Sequence, residues 1–388
     1  MTRLALLSAS DKTGIVDLAK VLTTEFDFDI ISSGGTARTL TEAGISVTKV
    51  SDYTGFPEIL GGRVKTLQPR IHGGILARTD NPDDQKDLAD NDIRPIDLVV
   101  VNLYPFEQTV ANPDTTLPEA IEKIDIGGPT MLRSAAKNHA YLTVLCAPTQ
   151  YEDYLNELRT NGQPSSDFRA DCARQVFWHT ATYDQAIATY LTEKAGGATS
   201  ERFALSGTQK QTLRYGENPH QPAVWYQTGS QSRGWAAAEK LQGKDLSYNN
   251  LVDLEAARRI IAEFPTANGP AAAVLKHTNP CGVAIGESMA STYKRAFEAD
   301  NVSAFGGIVA LNQEIDVDTA EALTQTFLEC VVAPSCAPAA REILAQKKNL
   351  RVLVLPDLLS GPSQTVRAIA GGFLTQTADD FQEDIAQW

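Results

Sequence analysis

Cysteine, positive charge and long apolar runs are all scarce in this 388-residue chain. Five cysteines, an odd number without regular spacing, exclude a disulfide framework and fit free thiols in a reducing compartment. Pro280-Cys281 is half of a zinc-deaminase signature. No second cysteine follows at the required spacing and no His-x-Glu precedes it, so no metal is expected. Lys and Arg number 34 against 48 Asp and Glu, a formal charge of −14 that argues against nucleic acid or an anionic membrane as partner. The apolar run near the start, Leu4 to Leu7, is too short for a secretion signal. No stretch approaches the ~20 apolar residues that cross a bilayer. A cytoplasmic location is the expectation.

What is present is ordinary for a globular protein: 43% apolar and 21% charged residues, with length for two or three domains. Short apolar runs alternate with helical patterns through the first half. Leu4–Leu7, Asp29–Ser32, Val47–Val50, Leu98–Leu103 and Tyr141–Cys146 read as strands, and Thr13–Phe26 and Phe168–Leu191 as helices. That alternation predicts an α/β fold with a doubly wound parallel sheet, whose ligands bind beyond the carboxyl ends of the strands. The stretch 51–78 is expected to be a long irregular loop, and such loops are usually functional. The chain divides into a first domain over 1–194, a linker over 195–201, a second domain over 202–375 and a polar tail over 376–388. In the second domain a helix is expected at Leu251–Phe264, with strands at Ala271–Leu275, Ile308–Leu311 and Arg351–Leu355.

Several loop-to-helix junctions carry chemistry. Ser33-Gly34-Gly35-Thr36 follows a strand and opens a helix, where glycines admit close backbone approach and free N–H groups attract an anion. A capped tight turn is the plainer reading. Ser10 and Lys12 follow the first strand in the same way, and a cation at a helix start opposes the dipole unless an anion sits there. Arg63 and Lys65 alternate, and so share a side if the segment is extended. Asp125-Ile126-Gly127-Gly128-Pro129 is another junction, with Pro129 expected at the first helical position and Arg133 and Lys137 on one face beyond it. Tyr104 ends the strongest strand. Lys276 and His277 end another, where an ammonium beside an imidazole favours a neutral base.

In order and spacing, Ser10-Asp11-Lys12-Thr13-Gly14, Ser33-Gly34-Gly35-Thr36-Ala37, Gly61-Gly62-Arg63-Val64-Lys65-Thr66-Leu67, Asn102-Leu103-Tyr104-Pro105-Phe106 and Asp125-Ile126-Gly127-Gly128 form one set. Ala135-Ala136-Lys137-Asn138-His139 completes it in the first domain. Leu213-Arg214-Tyr215-Gly216-Glu217-Asn218-Pro219-His220-Gln221, Lys276-His277-Thr278-Asn279-Pro280-Cys281-Gly282 and Ser303-Ala304-Phe305-Gly306-Gly307 extend it through the second. The whole resembles the bifunctional family that joins phosphoribosylaminoimidazolecarboxamide (AICAR) formyltransferase to IMP cyclohydrolase.

The resemblance implies a methylglyoxal-synthase-like first domain that closes 5-formyl-AICAR to IMP, followed by a cytidine-deaminase-like α/β subdomain. Formyl transfer would use 10-formyltetrahydrofolate as cosubstrate, with no metal in the cyclohydrolase site. It implies Lys65, Tyr104, Asp125 and Lys137 as the ring-closing group and Lys276 and His277 for formyl transfer. Ser10, Lys12, Ser33, Gly34, Gly35, Thr36, Arg63, Thr66, Asn102, Ile126 and Gly127 would bind substrate in the first domain. Arg214, Tyr215, Asn250, Gly306 and Asp316 would do so in the second. It further implies purine ribonucleotide intermediates as ligands and a homodimer. Family members continue into a second deaminase-like subdomain with a Lys-x-Ser-Asn stretch, which is not found here, so formyl transfer is expected to be impaired. The rival reading of the first domain is a non-catalytic phosphate-ligand sensor; the acid-base set of Lys65, Tyr104, Asp125 and Lys137 argues against it.

Overall fold

Two units, Met1–Ala204 and Leu205–Trp388, make up the computed structural model, which describes residues 2–194, 202–229 and 231–379. The expected linker at 195–201 and most of the expected polar tail lie outside the described residues. The first unit runs β1 (Arg3–Ala9), α1 (Ile15–Glu25), β2 (Phe28–Ser32), α2 (Gly34–Glu42), β3 (Thr48–Lys49), α3 (Val50–Thr54), α4 (Pro69–Leu76) and α5 (Pro82–Asp90). It continues through β4 (Leu98–Asn102), α6 (Phe106–Val110), α7 (Leu117–Glu122), α8 (Gly127–Lys137), β5 (Thr143–Leu145), α9 (Tyr151–Asn161) and α10 (Ser166–Lys194).

Its five strands are all parallel, in the order β3-β2-β1-β4-β5. Successive side chains of β1 point to opposite faces, and each face has its own core. Leu4 and Leu6 pack with Val99, Ile71, Leu132 and Val176, whereas Ala5 and Leu7 pack with Ile15, Leu18, Leu40 and Leu155. That two-sided burial is why the strands read as continuous apolar runs. Leu6 is fully buried, and truncating it to alanine would cost about 2–5 kcal/mol. The chain crosses first to one side of β1 and then to the other, so the order reverses between β1 and β4. A crevice at that switch point is the usual ligand site of such a sheet.

The sequence-based picture needs four corrections here. The 51–78 stretch is not one irregular loop: it contains α3 and α4, and α4 starts on Pro69 with Ile71, Gly74 and Ile75 buried. Pro69 is compatible with a first helical turn, which the density of glycine around it obscured. Val50 begins a helix rather than ending a strand. Helix α8 starts at Gly127, so Pro129 stands third in it. Arg63 has helical backbone angles (φ −68, ψ −23), so the extended alternation assumed for Arg63 and Lys65 does not hold.

The second unit contains β6 (Thr208–Leu213), β7 (Ala223–Gln227), β8 (Glu239–Gln242), α11 (Tyr248–Ala262), β9 (Ala271–Lys276), β10 (Asn279–Ile285), α12 (Met289–Glu298) and β11 (Ile308–Leu311). After these come α13 (Val317–Thr324), β12 (Cys330–Ala333), α14 (Pro338–Leu344), β13 (Arg351–Val354), β14 (Gln364–Ile369) and β15 (Gly372–Thr377). Its main sheet is mixed, in the order β10-β9-β11-β12-β13-β8: β9 is antiparallel to both β10 and β11, β11, β12 and β13 run parallel, and β8 is antiparallel to β13. Strand β10 was not foreseen, because Pro280 and Gly282 read as breakers; the register shifts between them, which accommodates both. Strand β15 reaches Thr377, past the expected boundary at 375.

Candidate active site

A cleft of about 480 Å³ opens where β1, β2 and β4 end, at the switch point of the first sheet. Ser10, Lys12, Ser33, Gly34, Gly35, Thr36, Arg63, Lys65, Thr66, Asn102, Tyr104, Asp125, Ile126 and Gly127 all line it. Two helices, α2 and α8, start at its wall. Ser33 precedes α2 in an extended conformation (φ −131) and its hydroxyl makes no capping bond, so the first N–H groups of α2 keep no side-chain partner. Two ammonium groups converge on that start. A Cβ placed on Gly34 would stand 3.4 Å from Lys65 Nζ, and one on Gly35 would stand 3.6 Å from Lys12 Nζ. Gly34 also has φ +54, a conformation that side-chain-bearing residues adopt at a cost. The result is an anion cradle: open backbone donors, a positive dipole end and two cations. Among the described residues Lys12 makes no salt bridge; its Nζ donates to Ser10 O at 3.3 Å. Lys65 is partly neutralised by Glu58 at 3.5 Å.

Two expected ligands turn out to have their polar atoms occupied. The buried Thr36 hydroxyl accepts from Ala9 N (3.0 Å) and donates to Ala9 O (2.9 Å), tying α2 to the end of β1. Asn102 Oδ1 accepts from the N–H groups of Ser10 (2.6 Å) and Asp11 (2.8 Å), and its Nδ2 donates to Asp11 O (2.9 Å). Both hold the loop that presents Ser10 and Lys12. Ser10 does not cap α1; that helix starts after Gly14. Thr66 is buried, and its Oγ1 would stand 2.7 Å from a Cβ on Gly127, so the start of α8 is pressed against it.

Asp125 lines the same cleft as the glycine turn. Its Oδ1 accepts from Gly128 N (2.9 Å), so the carboxylate caps α8. Burial pushes its pKa up, and the N–H groups of Gly128 and Gly127 pull the other way without cancelling it. A desolvated carboxylate with one oxygen on a backbone donor keeps the other for a substrate proton. Gly128 makes room for it: a Cβ there would stand 2.3 Å from Asp125 Oδ2. Tyr104 is half exposed at the rim, with Ile126. Arg63, at the mouth, faces Glu122 at 3.6 Å.

Lys137 does not belong to this group. It is exposed at the far end of α8, about 15 Å along the axis from the glycines that line the cleft. The spacing of Arg133 and Lys137 does place both on the exposed side, where Arg133 lies over the Phe177 ring at 5.7 Å.

In the second unit Lys276 ends β9 and His277 and Thr278 form the tight turn into β10, with Lys276 paired to Asn279. His277 (φ 52) and Thr278 (φ 64) both take the left-handed conformation, each at a cost of about 1–2 kcal/mol for a side-chain-bearing residue. Such strain persists where surroundings over-determine it. Here Asp253 Oδ1, from α11, accepts from Thr278 N at 2.8 Å, Asn279 Nδ2 donates to His277 O at 2.8 Å, and Lys276 Nζ donates to Phe305 O at 2.8 Å. Burial raises the pKa of Asp253, opposed by the Thr278 N–H and by His277. Gly306 (φ +73) is at this end of the sheet, since Gly307 abuts Leu275 O. Arg214 is exposed and stacks on Tyr215 at 5.3 Å. Two expected positions are corrected. Asn250 is buried and closes a capping box with Ser247 at the start of α11. Asp316 caps α13 through Thr319 N (2.8 Å), beyond the end of β11 remote from Lys276. Sequence reasoning missed Asp253 and Tyr183, the latter a residue of α10 whose hydroxyl accepts from Asp125 N at 2.8 Å. Among the described residues no group of three or more His, Cys, Asp or Glu is arranged to hold a metal.

A parallel α/β sheet with an anion cradle and a desolvated carboxylate at its switch point defines an enzyme of a phosphorylated small molecule. The chain belongs to the AICARFT/IMPCHase bienzyme family, which matches residues 135–388, and an MGS-like domain matches residues 14–130. It is 67% identical over 391 residues to the bifunctional purine biosynthesis protein PurH of Nostoc punctiforme, an alignment that takes in 100% of this chain and 76% of that protein. PurH of a Synechocystis species is 65% identical over 388 residues, again across 100% of this chain and 76% of the relative. Among solved structures, the crystal structure of ForH is 36% identical, covering 48% of this chain and 98% of its own with a TM-score of 0.43. The family pairs IMP cyclohydrolase with AICAR formyltransferase, the latter using 10-formyltetrahydrofolate, and the non-catalytic sensor reading is not favoured. The expectation of a formyl transfer impaired by shortening finds no support in these alignments, which include the whole chain.

Proposed function

We propose that the cleft of the first unit is the ring-closing site for 5-formyl-AICAR, with the substrate phosphate at the start of α2. The observation that carries this reading is the convergence of the Lys12 and Lys65 ammonium groups on Gly34-Gly35, in one cleft with the desolvated carboxylate of Asp125. Ring closure joins the carboxamide nitrogen to the formyl carbon and expels the formyl oxygen as water, its two hydrogens coming one from the carboxamide nitrogen and one from the formamido nitrogen. Asp125 takes the proton of the attacking amide. Tyr104 hydrogen-bonds the formyl oxygen as it becomes a hydroxyl and leaves, and Lys65 carries protons and stabilises the developing charge. Lys12, Ser10, Ser33 and the α2 backbone anchor the phosphate, which fixes the reacting atoms in register. Lys137 takes no part from within its own chain.

Incubating the chain with 5-formyl-AICAR and following IMP by ultraviolet absorbance tests this; no turnover by the parent protein would sink it. The turn at Lys276 and His277 is read as the base and electrophilic partner for formyl transfer to the AICAR amine, measured in parallel with 10-formyltetrahydrofolate. A homodimer and a cytoplasmic location accompany this reading. Sedimentation at micromolar concentration tests the first and fractionation of the source cell the second.

A further inference from the structure

We infer that Tyr183 is a positioning residue for ring closure, holding Asp125 through the main chain and the Tyr104 segment through Phe106. The inference rests on the cyclohydrolase reading of the cleft and deepens it. Tyr183 lies on α10, which supplies no residue to the cleft lining, and is 8% exposed. Its hydroxyl accepts from Asp125 N at 2.8 Å and points its own hydrogen toward Lys123 O at 3.3 Å. One phenol oxygen thereby spans the connection between α7 and α8. The Asp125 side chain leaves that connection to cap α8, so its direction follows the main chain that Tyr183 grips.

The ring does a second job. It meets Phe106 edge-on, with centroids 6.3 Å apart and planes at 74°, and Tyr190 meets the same Phe106 at 5.7 Å and 86°. Phe106 is buried, and its N–H donates to Tyr104 O at 2.8 Å, closing a tight turn over Pro105. The backbone that carries Tyr104 is therefore pinned by the same aromatic cluster that pins Asp125. Burial raises the pKa of the Tyr183 hydroxyl, opposed by the Asp125 N–H and helped by the nearby carboxylates of Asp125 and Asp184. It therefore remains both donor and acceptor. A tyrosine that merely filled the core would give neither contact this directionality.

Tyr183→Phe removes the oxygen and leaves the ring. We expect kcat for IMP formation to fall about tenfold, with KM for 5-formyl-AICAR within about twofold, since geometry at the reacting atoms changes and phosphate anchoring does not. In the residual turnover of Asp125→Asn, adding Tyr183→Phe should change kcat by less than about twofold, because the two act through one group. An independent tenfold loss in that background overturns the inference, and so does an unchanged kcat in Tyr183→Phe alone. Loss of the fold in Tyr183→Phe also overturns it, by making the residue structural. Hydrogen exchange of the Asp125 amide reads the contact without turnover and should quicken about tenfold in Tyr183→Phe; unchanged exchange refutes the contact. A parent chain that forms no IMP refutes the cyclohydrolase reading instead.

Discussion

The two candidate sites solve the problem of an unusual backbone in opposite ways. In the first unit, glycine takes the left-handed position: Gly34, at φ +54, opens α2, while the reactive side chains around it sit on ordinary backbone. In the second, the chemical residue itself is left-handed, with His277 and Thr278 both at positive φ in the β9–β10 turn. The first arrangement makes an open, unstrained cradle suited to anchoring a large anion. The second stores strain under a single imidazole and needs outside bonds, from Asp253 and Asn279, to keep it in place. One site is built to receive, the other to aim.

Substitutions at the two sites test this contrast. The largest effect is expected of Gly128→Ala, whose Cβ would stand 2.3 Å from Asp125 Oδ2 and 2.8 Å from Leu103 Cδ2. IMP formation should drop about a hundredfold while formyl transfer is untouched; equal loss of both rates would erase the independence of the sites. Lys12→Met removes a cation from the cradle and should raise KM for 5-formyl-AICAR about tenfold to a hundredfold, with kcat within a few-fold. A fall confined to kcat would move Lys12 from anchoring to chemistry.

Stability separates the sites further. Asp125 has a folded pKa raised by burial, so its contribution favours the fold below the unfolded carboxylate pKa and is lost as pH rises through the folded value. Asp125→Asn keeps the capping oxygen without the charge. It should raise Tm at neutral pH by about 2–4 °C while lowering turnover, and the gain should vanish toward acid pH. A Tm gain that persists at low pH would remove burial of charge as its cause. The smallest effect belongs to Thr278→Gly, which relieves left-handed strain at one residue and should stabilise the second unit by about 0.5 kcal/mol in denaturant unfolding. Destabilisation there would show that the Thr278 side chain, bonded to His277 O at 2.6 Å, matters more than its backbone.

Much of the first site was legible because it follows from pattern. Apolar runs buried on both faces announced the parallel strands, and a strand followed at once by Ser33-Gly34-Gly35-Thr36 placed the cradle at a carboxyl end. What pattern does not show is whether a side chain is already engaged. Thr36, Asn102, Asn250 and Asp316 carry suitable groups, yet Ala9, the Ser10-Asp11 loop, Ser247 and Thr319 hold them. Lys137 failed for another reason: helical spacing tells which face a residue is on but not how far it lies from the end that bears the ligand. Tyr183 was invisible because its partner, Asp125, is 58 residues away along the chain and the contact depends on packing of α10. Strand β10 was hidden by Pro280 and Gly282, whose irregularity the sheet absorbs as a register shift.

The strand order of the first sheet also sets when the cleft can exist. The bond from Ser10 N to Asn102 Oδ1 joins segments 92 residues apart, and it forms only after β4 has come to lie beside β1. Pairing over so long a separation is slow, because loop-closure entropy is lost before the contacts repay it. Nothing that resembles the anchoring loop is therefore available to a nascent or half-folded chain. Substrate can bind only a finished sheet, so each bound molecule shifts the folding equilibrium of the first unit by RT ln(1 + [L]/Kd). The ligand thus acts as a late-arriving stabiliser of the same long-range pairing that creates its site.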